Sequence, residues 1–347
     1  MSRPEIEHGL IPEIRYDDKM EPIISYRPNL RGRAFTPRSE GNVLILRWGG
    51  IGDLVMLSPS LRAMKQKYPN LSITLASKWP MVLNGMPYLK ASIPIEQAVT
   101  KDYDSVIDLR MMVESAGTGG LLPDTLYKSV NRMEMFGRLL GIEIEDFSAD
   151  AYVDPSRIQR LRSMIGHADG IIGIQATCTS NLRTIPPDYL PGLIELLGST
   201  GKTKVVLFGK LEYWHGRRLK VDLKNLGGGD IINLVDRLDI QDLVPLVSLC
   251  DLVIAPDSSA IHIAGALNIP CLALFGNIHP YLRTHHYRSV TNLYPDGELD
   301  CIPCYDLINP CLFYRDIPTV EQPVGAECMR KLTAQRIFEK VKEILKA

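Results

Sequence analysis

Residues 252–276, LVIAPDSSAIHIAGALNIPCLALFG, leave the chain few ways to fold. An apolar run from Leu252 to Ala255 has strand length, and Asp257, Ser258 and Ser259 form a polar turn after it. A short helix follows from about Ala260, and a second apolar run, Cys271 to Phe275, is entered through Pro270. The pattern predicts a βαβ unit, hence a parallel sheet covered by helices. Parallel sheets bind ligands outside the carboxyl ends of their strands, where a helix N-terminus offers free N–H groups and partial positive charge. An anion is the expected guest. Ser258, Ser259 and His262 share the first helical turn, so two hydroxyls and an imidazole would converge on it. Taken singly, Asp257 or Ser258 reads as a helix cap and His262 as a half-buried core residue. The four together at one strand end favour a ligand site.

The chain has 347 residues, 45% of them hydrophobic, enough for two cores at roughly 150 residues per domain. A formal charge of −1 and a pI near 6.7 give no electrostatic footprint for nucleic acid. The first residues, MSRPEIEHGLIPEIRYDDKMEP, mix both charge signs without a long apolar core. They predict neither a signal peptide nor a transmembrane segment. A cytoplasmic protein is expected, with peripheral contact at the inner face of the membrane left open.

Residues 1–40 are polar and proline-bearing and are expected to form an N-terminal arm over the first domain. At Asn42 the buried-strand run VLILR begins. A helical pattern follows, with Leu54, Leu57, Leu61 and Met64 on one face and Pro59 as an interruption. Strands at 72–77 and 105–110 complete a first α/β domain, residues 41–167. A second cycle starts with IIGIQA (171–176). It continues through a helix near 188–197, a strand at 204–209, a helix near 216–226, a strand at 230–234 and a helix near 240–249, up to the βαβ unit. Residues 168–327 are expected to form this second domain, including a cysteine-rich segment at 294–328. Residues 328–347 then supply a C-terminal helix. Two successive Rossmann-like, doubly wound domains are the simplest α/β architecture.

The turn Arg47-Trp48-Gly49-Gly50-Ile51-Gly52-Asp53 is a second candidate site. A dinucleotide fingerprint read from Gly50 would need glycine at Val55, and no Gly-Lys-Ser/Thr follows, so neither a Rossmann fingerprint nor a P-loop is present. The glycines suit a tight turn that leaves Asp53 at a helix N-terminus above the sheet. There it is either a capping carboxylate or a base able to take a proton from a hydroxyl.

Three ordered motifs carry a resemblance. LILRWGGIGDLVMLSPSLRAMKQKYP is similar to the opening strand, Gly-Asp turn and helix of the family 9 glycosyltransferases, the heptosyltransferases and their relatives. GIQATCTSNLRTIPPDYLPGLIELL resembles the segment that begins their nucleotide-binding domain. LVIAPDSSAIHIAGALNIPCLALFG resembles their Asp-Ser/Thr-Gly-x-x-His stretch. The resemblance runs from about Asn42 to the C-terminus. It implies a GT-B fold, two Rossmann-like domains facing across a cleft, and inverting transfer of a sugar from a nucleotide diphosphate donor, ADP-heptose by default. The acceptor would be a hydroxyl on a glycan, a lipid-linked molecule or a protein.

Carried over to this sequence, the family's general base falls on Asp53. The diphosphate would be held by Ser258, Ser259 and His262, with Asp257 ordering the loop. Arg183 would clamp a phosphate, aided by Thr179 and Ser180. Glu212 matches a region that contacts the nucleoside, although a solvated glutamate at a helix start is an equal reading. Ser259 replaces the usual glycine, Ile185 the usual tryptophan and Arg183 the common lysine, which leaves the sugar nucleotide open.

The sequence also contains Asp102-Tyr103-Asp104, an Asp-x-Asp motif, but ahead of a strand and not at its ligand-facing end. It is read as strand-entry polarity, while Asp108 and Arg110 at the far end are candidates for meeting the acceptor. Catalysis requires no cofactor on this reading. Of seven cysteines, Cys301, Cys304, Cys311 and Cys328 share one irregular segment. Four thiols with a Cys-x2-Cys pair suit a structural zinc or iron ion, the alternative being unpaired thiols in a proline-rich loop. The rival functions are a nucleotide-sugar binding protein and a GT-B epimerase without an acceptor site.

Overall fold

The structure, a computed structural model, describes residues 10–16, 22–28, 39–114, 127–178, 180, 182–198, 203–213, 217–218, 226, 230–305, 311 and 324–346. Two parallel sheets organise it. The first contains β3 (Glu40–Arg47), β4 (Asn70–Ser77), β5 (Ala91–Pro94) and β6 (Ser105–Asp108) in the order β5-β4-β3-β6. Before it, β1 (Leu10–Tyr16) and β2 (Pro22–Pro28) pair antiparallel, within the stretch expected to be an arm.

The second sheet contains β7 (Gly170–Gln175), β8 (Thr203–Phe208), β11 (Ile231–Asn233), β12 (Leu252–Pro256), β13 (Cys271–Leu274) and β14 (Val290–Leu293). Their order, β11-β8-β7-β12-β13-β14, is the six-stranded doubly wound order, with every pairing parallel. Between β8 and β11, β9 (Glu212–Tyr213) and β10 (Arg217–Arg218) make a separate antiparallel ladder. This corrects two expectations. Glu212 lies in a strand and not at a helix start, and the helix expected from about 216 gives way to β10 at its beginning. The remainder of that expected helix falls mostly outside the described residues.

The helices are α1 (Ile51–Lys67), α2 (Arg132–Leu140), α3 (Pro155–Ile165), α4 (Leu190–Gly198), α5 (Leu243–Val247), α6 (Ser259–Ala266), α7 (Tyr281–Thr284), α8 (Glu327–Arg330) and α9 (Ala334–Lys346). α1 runs through Pro59 without a break, and Leu54, Leu57, Leu61 and Met64 are all buried on the first sheet. Burying each such side chain contributes about 1.5–3 kcal/mol, which offsets the backbone bond that proline cannot make. α9 is amphipathic and lays Ile337, Phe338 and Val341 onto the second core beside Leu193 and Leu197 of α4. Among the described residues, no helix is long and apolar enough to cross a membrane.

Each sheet has a switch point, a gap between neighbouring strands whose connections leave in opposite directions. In the first sheet it lies between β3 and β6, and in the second between β7 and β12. Crevices at such points are where doubly wound sheets bind ligands. α1, which leaves β3, packs directly on α6, which leaves β12, so the two crevices open toward each other.

Candidate active site

The first crevice is built around Arg47, the last residue of β3. It is fully buried, with Nη1 donating to the Leu109 carbonyl at 2.8 Å and Nη2 paired with Glu114 at 2.6 Å and Asp53 at 3.1 Å. Its guanidinium also lies 5.5 Å from the centre of the Phe136 ring. Gly49 has to be glycine here, because a Cβ would stand 2.6 Å from Arg47 Nη2 and 2.8 Å from Asp53 Oδ2. Asp53 Oδ2 also accepts the Gly50 N–H at 3.2 Å, and Oδ1 faces Arg132 Nη1 at 3.5 Å. The same carboxylate thus both caps α1 and lies within a cluster of cations. Burial alone would raise its pKa, but Arg47, Arg132 and Arg283 outweigh that and hold it down at about 2.

The second crevice lies at the N-terminus of α6. Ser258 occupies the cap position, but its hydroxyl donates to Gln175 Oε1 at 2.7 Å, joining the ends of β7 and β12. Arg183 Nη1 binds the backbone carbonyl of Asp257 at 2.6 Å and its Oδ2 at 2.9 Å, spanning the same gap. Burial raises the pKa of Asp257 while Arg183, Arg283 and His262 lower it, with a net downward shift. Ser180 is buried, and its carbonyl accepts from Thr184 at 2.9 Å and from Cys178 at 3.0 Å. Thr179 lies outside the described residues, as does the side chain of Glu212.

His262 joins the two crevices. Its ring lies against Gly52 of α1 so closely that a Cβ there would come within 2.5 Å of Cδ2. On the other edge, Nδ1 is 3.2 Å from the Tyr287 hydroxyl, and that tyrosine rests on the bare face of Gly265. With the hydroxyl as donor, Nε2 carries the imidazole proton. Burial drives the His262 pKa down to about 4; Asp257 and Asp53 oppose the shift, while Arg283 and Arg132 reinforce it. His262 is therefore a neutral N–H donor near pH 7, not the cation that an imidazole beside a diphosphate suggests.

Two cations that no motif announced complete the cluster. Arg132 begins α2 and Arg283 lies in α7, and their guanidiniums approach the same ring, that of Tyr127, at 5.6 and 5.7 Å. Burial, and then the charge of Arg283, lower the Arg132 pKa. The same seam carries an Asn131 Nδ2 bond to the Tyr281 carbonyl at 2.7 Å, and a His286–Glu134 contact at 3.1 Å with His286 stacked on Phe147. The sequence signal for Arg47 was a charged residue closing an apolar strand at its carboxyl end. Arg132, Arg283, Glu114 and Tyr127 carried none, since only tertiary packing brings them together.

The structure does not bring Asp108 and Arg110 into this cluster as separate groups; they pair with each other at 2.5 Å at the end of β6. Asp104 accepts the Asn42 N–H at 2.7 Å, at the opposite end of β6 from Asp108. Cys301, Cys304, Cys311 and Cys328 line one cavity with Leu182 and Asn277. Among the described residues, no three histidine, cysteine or acidic side chains stand close enough to hold a metal ion. The cavity is tied to the loops that follow β7 and β13: Ala326 N–H donates to the Leu182 carbonyl at 3.0 Å, and Tyr305 N–H to that of Asn277 at 2.8 Å.

Residues 123–306, more than half of the chain, match the sequence profile of glycosyltransferase family 9 (heptosyltransferase). Lipooligosaccharide heptosyltransferase 2 of Haemophilus influenzae is 24% identical, with 69% of this chain and 84% of that protein covered. Among solved structures, E. coli ADP-heptose LPS heptosyltransferase II superposes with a TM-score of 0.61 at 17% identity, covering 88% of this chain and 98% of that one. The iron-containing dodecameric glycosyltransferase TibC of enterotoxigenic E. coli gives 0.66 at 14% identity, covering 94% and 81%. TibC has also been solved with ADP-D-β-D-heptose.

Proposed function

The chain belongs to glycosyltransferase family 9, and on that premise we propose that it moves heptose from ADP-heptose to an acceptor hydroxyl, with inversion, using Asp53 as the base. The observation that carries this reading is the juxtaposition of two crevices, a half-buried carboxylate in one and a helix N-terminus with a neutral imidazole in the other. Residues 41–167 would take the acceptor and residues 168–327 the donor. The acceptor oxygen attacks the anomeric carbon as the bond from that carbon to the phosphate oxygen breaks, and the electron pair leaves with the diphosphate. The acceptor proton passes to Asp53. A carboxylate held near pKa 2 is a weak base, which suits a proton that becomes acidic only as the new C–O bond forms.

Charge building on the diphosphate would meet the free N–H groups that open α6, the Ser259 hydroxyl, the Ser258 hydroxyl once it turns from Gln175, and the His262 N–H. Arg183, with Thr179 and Ser180 in its loop, lies on the same side, and Asp257 fixes its position. Glu212 would accept from the ribose hydroxyls, and Asp108 with Arg110 would border the acceptor. The preference for ADP-heptose rests on the named relatives, one of them solved with that donor. The acceptor is read as a glycan or lipid-linked sugar in surface lipooligosaccharide synthesis, reached from the cytoplasmic face of the membrane.

The test is direct. Asp53→Asn should lower kcat by about 100- to 10,000-fold, the usual range for a lost general base. It should leave ADP binding, followed by thermal shift, within about threefold. Undiminished transfer by the variant would defeat the assignment, and stabilisation by UDP or GDP in place of ADP would change the donor.

The four cysteines support a structural ion beside the donor half. An all-thiolate set fits zinc or iron, and four protein ligands leave no position for substrate. The cavity they line supports this reading, as does the iron reported for TibC. Such an ion would draw the thiols inward and brace the Leu182–Arg183 loop. Elemental analysis of purified protein should find one zinc or iron per chain, absent from a Cys301→Ser, Cys328→Ser variant; a trace per chain in the wild type would remove the ion from this account.

A further inference from the structure

Arg283 is only 6% exposed, yet among the described residues no carboxylate lies within ion-pair distance of it. Its hydrogen bonds run to the adjacent Leu282 carbonyl at 3.2 Å and to the Tyr127 hydroxyl at 3.5 Å, both neutral and neither short. A buried guanidinium so poorly compensated destabilises the fold, because its lost hydration is not replaced. It nevertheless sits where the two halves meet, within electrostatic reach of Asp53, Asp257, His262 and Arg132. Among the described residues around Asp53, three guanidiniums (Arg47, Arg132 and Arg283) face two carboxylates (Asp53 and Glu114), an excess of one positive charge. Arg183 and Asp257 cancel each other nearby.

We propose that Arg283 is a catalytic residue that binds the diphosphate of the donor and takes up the charge of the leaving group, with Tyr127 and Arg132 fixing the plane of its guanidinium. The inference rests on the donor being a nucleotide diphosphate sugar. Arg283 projects from the donor half onto a tyrosine of the acceptor half, and Arg132 approaches that ring from the acceptor half. An anion bound between them would be gripped from both sides of the cleft. It would also weaken the hold of Arg132 on Asp53, freeing Oδ1 for the acceptor hydroxyl as the donor docks. A planar guanidinium offers parallel N–H donors to two phosphate oxygens, which a lysine would not reproduce.

The experiment uses the full chain and its Arg283→Met and Arg283→Lys variants, with pyrophosphate, ADP and adenosine as probes. Without ligand, Arg283→Met should melt at or above the wild-type temperature, since a desolvated charge has been removed. Its affinity for ADP should fall about 10- to 100-fold, the loss expected for charge-assisted hydrogen bonds, while adenosine affinity stays unchanged. Pyrophosphate should stabilise the wild type and not the methionine variant, and Arg283→Lys should fall between the two. Under saturating substrates, kcat of Arg283→Met should drop more than tenfold.

ADP affinity within twofold of wild type in Arg283→Met would overturn the proposal, and so would a lower melting temperature that marks the residue as structural. An unchanged ADP affinity with a raised acceptor KM would assign the anion to the acceptor instead, which also overturns it. Failure of the wild type to bind any nucleoside diphosphate would reject the donor reading itself, a result distinct from a defect confined to the variant.

Discussion

The Cα of Gly52 and the imidazole of His262 touch across the two halves of the protein, and no side chain larger than hydrogen fits between them. This contact brings the N-terminus of α1, with its carboxylate, to the first turn of α6. The spacing of the cleft is therefore set by a glycine and a neutral ring.

Gly52→Ala places a methyl group 2.5 Å from His262 Cδ2. The ring is anchored to Tyr287, so the strain should be relieved by parting the halves. A loss of about 1–3 kcal/mol in stability, typical of overpacking, is expected in denaturant unfolding. Transfer should fall at least tenfold, and a variant as active and stable as the wild type would show that the contact is not maintained in solution.

His262 yields a pH dependence of definite sign. Its folded pKa is depressed to about 4 from 6.5, so between these values the unfolded chain binds the proton and the native chain does not. Stability attributable to this residue is full above pH 6.5 and declines as pH falls toward 4, at about 1.4 kcal/mol per pH unit at most. Asp53 acts in the same sense but lower, between its ordinary 3.8 and about 2. Titration of the His262 ring by NMR should give a midpoint near 4. A midpoint near 6.5 would mean that the site is wet.

Arg183, half-buried, and Asp257, buried, form an ion pair across the second switch point. Removing either partner alone leaves a charge without its counterion and should cost about 3–5 kcal/mol. The double variant Arg183→Met, Asp257→Asn should cost clearly less than the two single losses together, because the orphaned charge disappears. Chemical denaturation of the four proteins gives the coupling energy directly, and strict additivity would deny the interaction.

Glu114 offers a fourth check. It holds Arg47 at 2.6 Å, and Arg47 holds Asp53. In Glu114→Gln, Arg47 should turn its charge more fully onto Asp53 and make it a weaker base. Transfer should fall several-fold at unchanged ADP affinity, and a steady-state comparison of kcat and donor KM would detect it.

Most strands and helices are legible, because apolar runs of strand length bounded by turn residues have one economical solution; β5 and β14, four residues each with no fully buried position, carry no such run and are absent from the sequence reading. The strand-turn-helix patterns at 42–64 and 252–266 are both present, as β3 followed by α1 and β12 followed by α6. The sequence alone offers Asp53 both as cap and as base, and the geometry shows why it does not separate them: one carboxylate accepts from the Gly50 N–H and faces two arginines at once. The short ladder at Glu212 removes one of the two readings of that residue, the helix start; local propensity says little about a two-residue pairing. Arg132 and Arg283 were missed for a different reason. Their meeting on Tyr127 depends on how two separately folded layers dock, and no local pattern encodes that.

The helix at residues 334–346 has a consequence for how the protein is made. Ile337, Phe338 and Val341 close a core whose other wall, Leu190, Leu193 and Leu197, is synthesised much earlier. Chains fold from the N-terminus as they emerge from the ribosome. The first sheet and α1 can pack once α2 has emerged with Met133 and Phe136, whereas the second core keeps an open apolar side until the helix at 334–346 has cleared the exit tunnel. Through that interval the nascent donor half is the part exposed to chaperones and proteases.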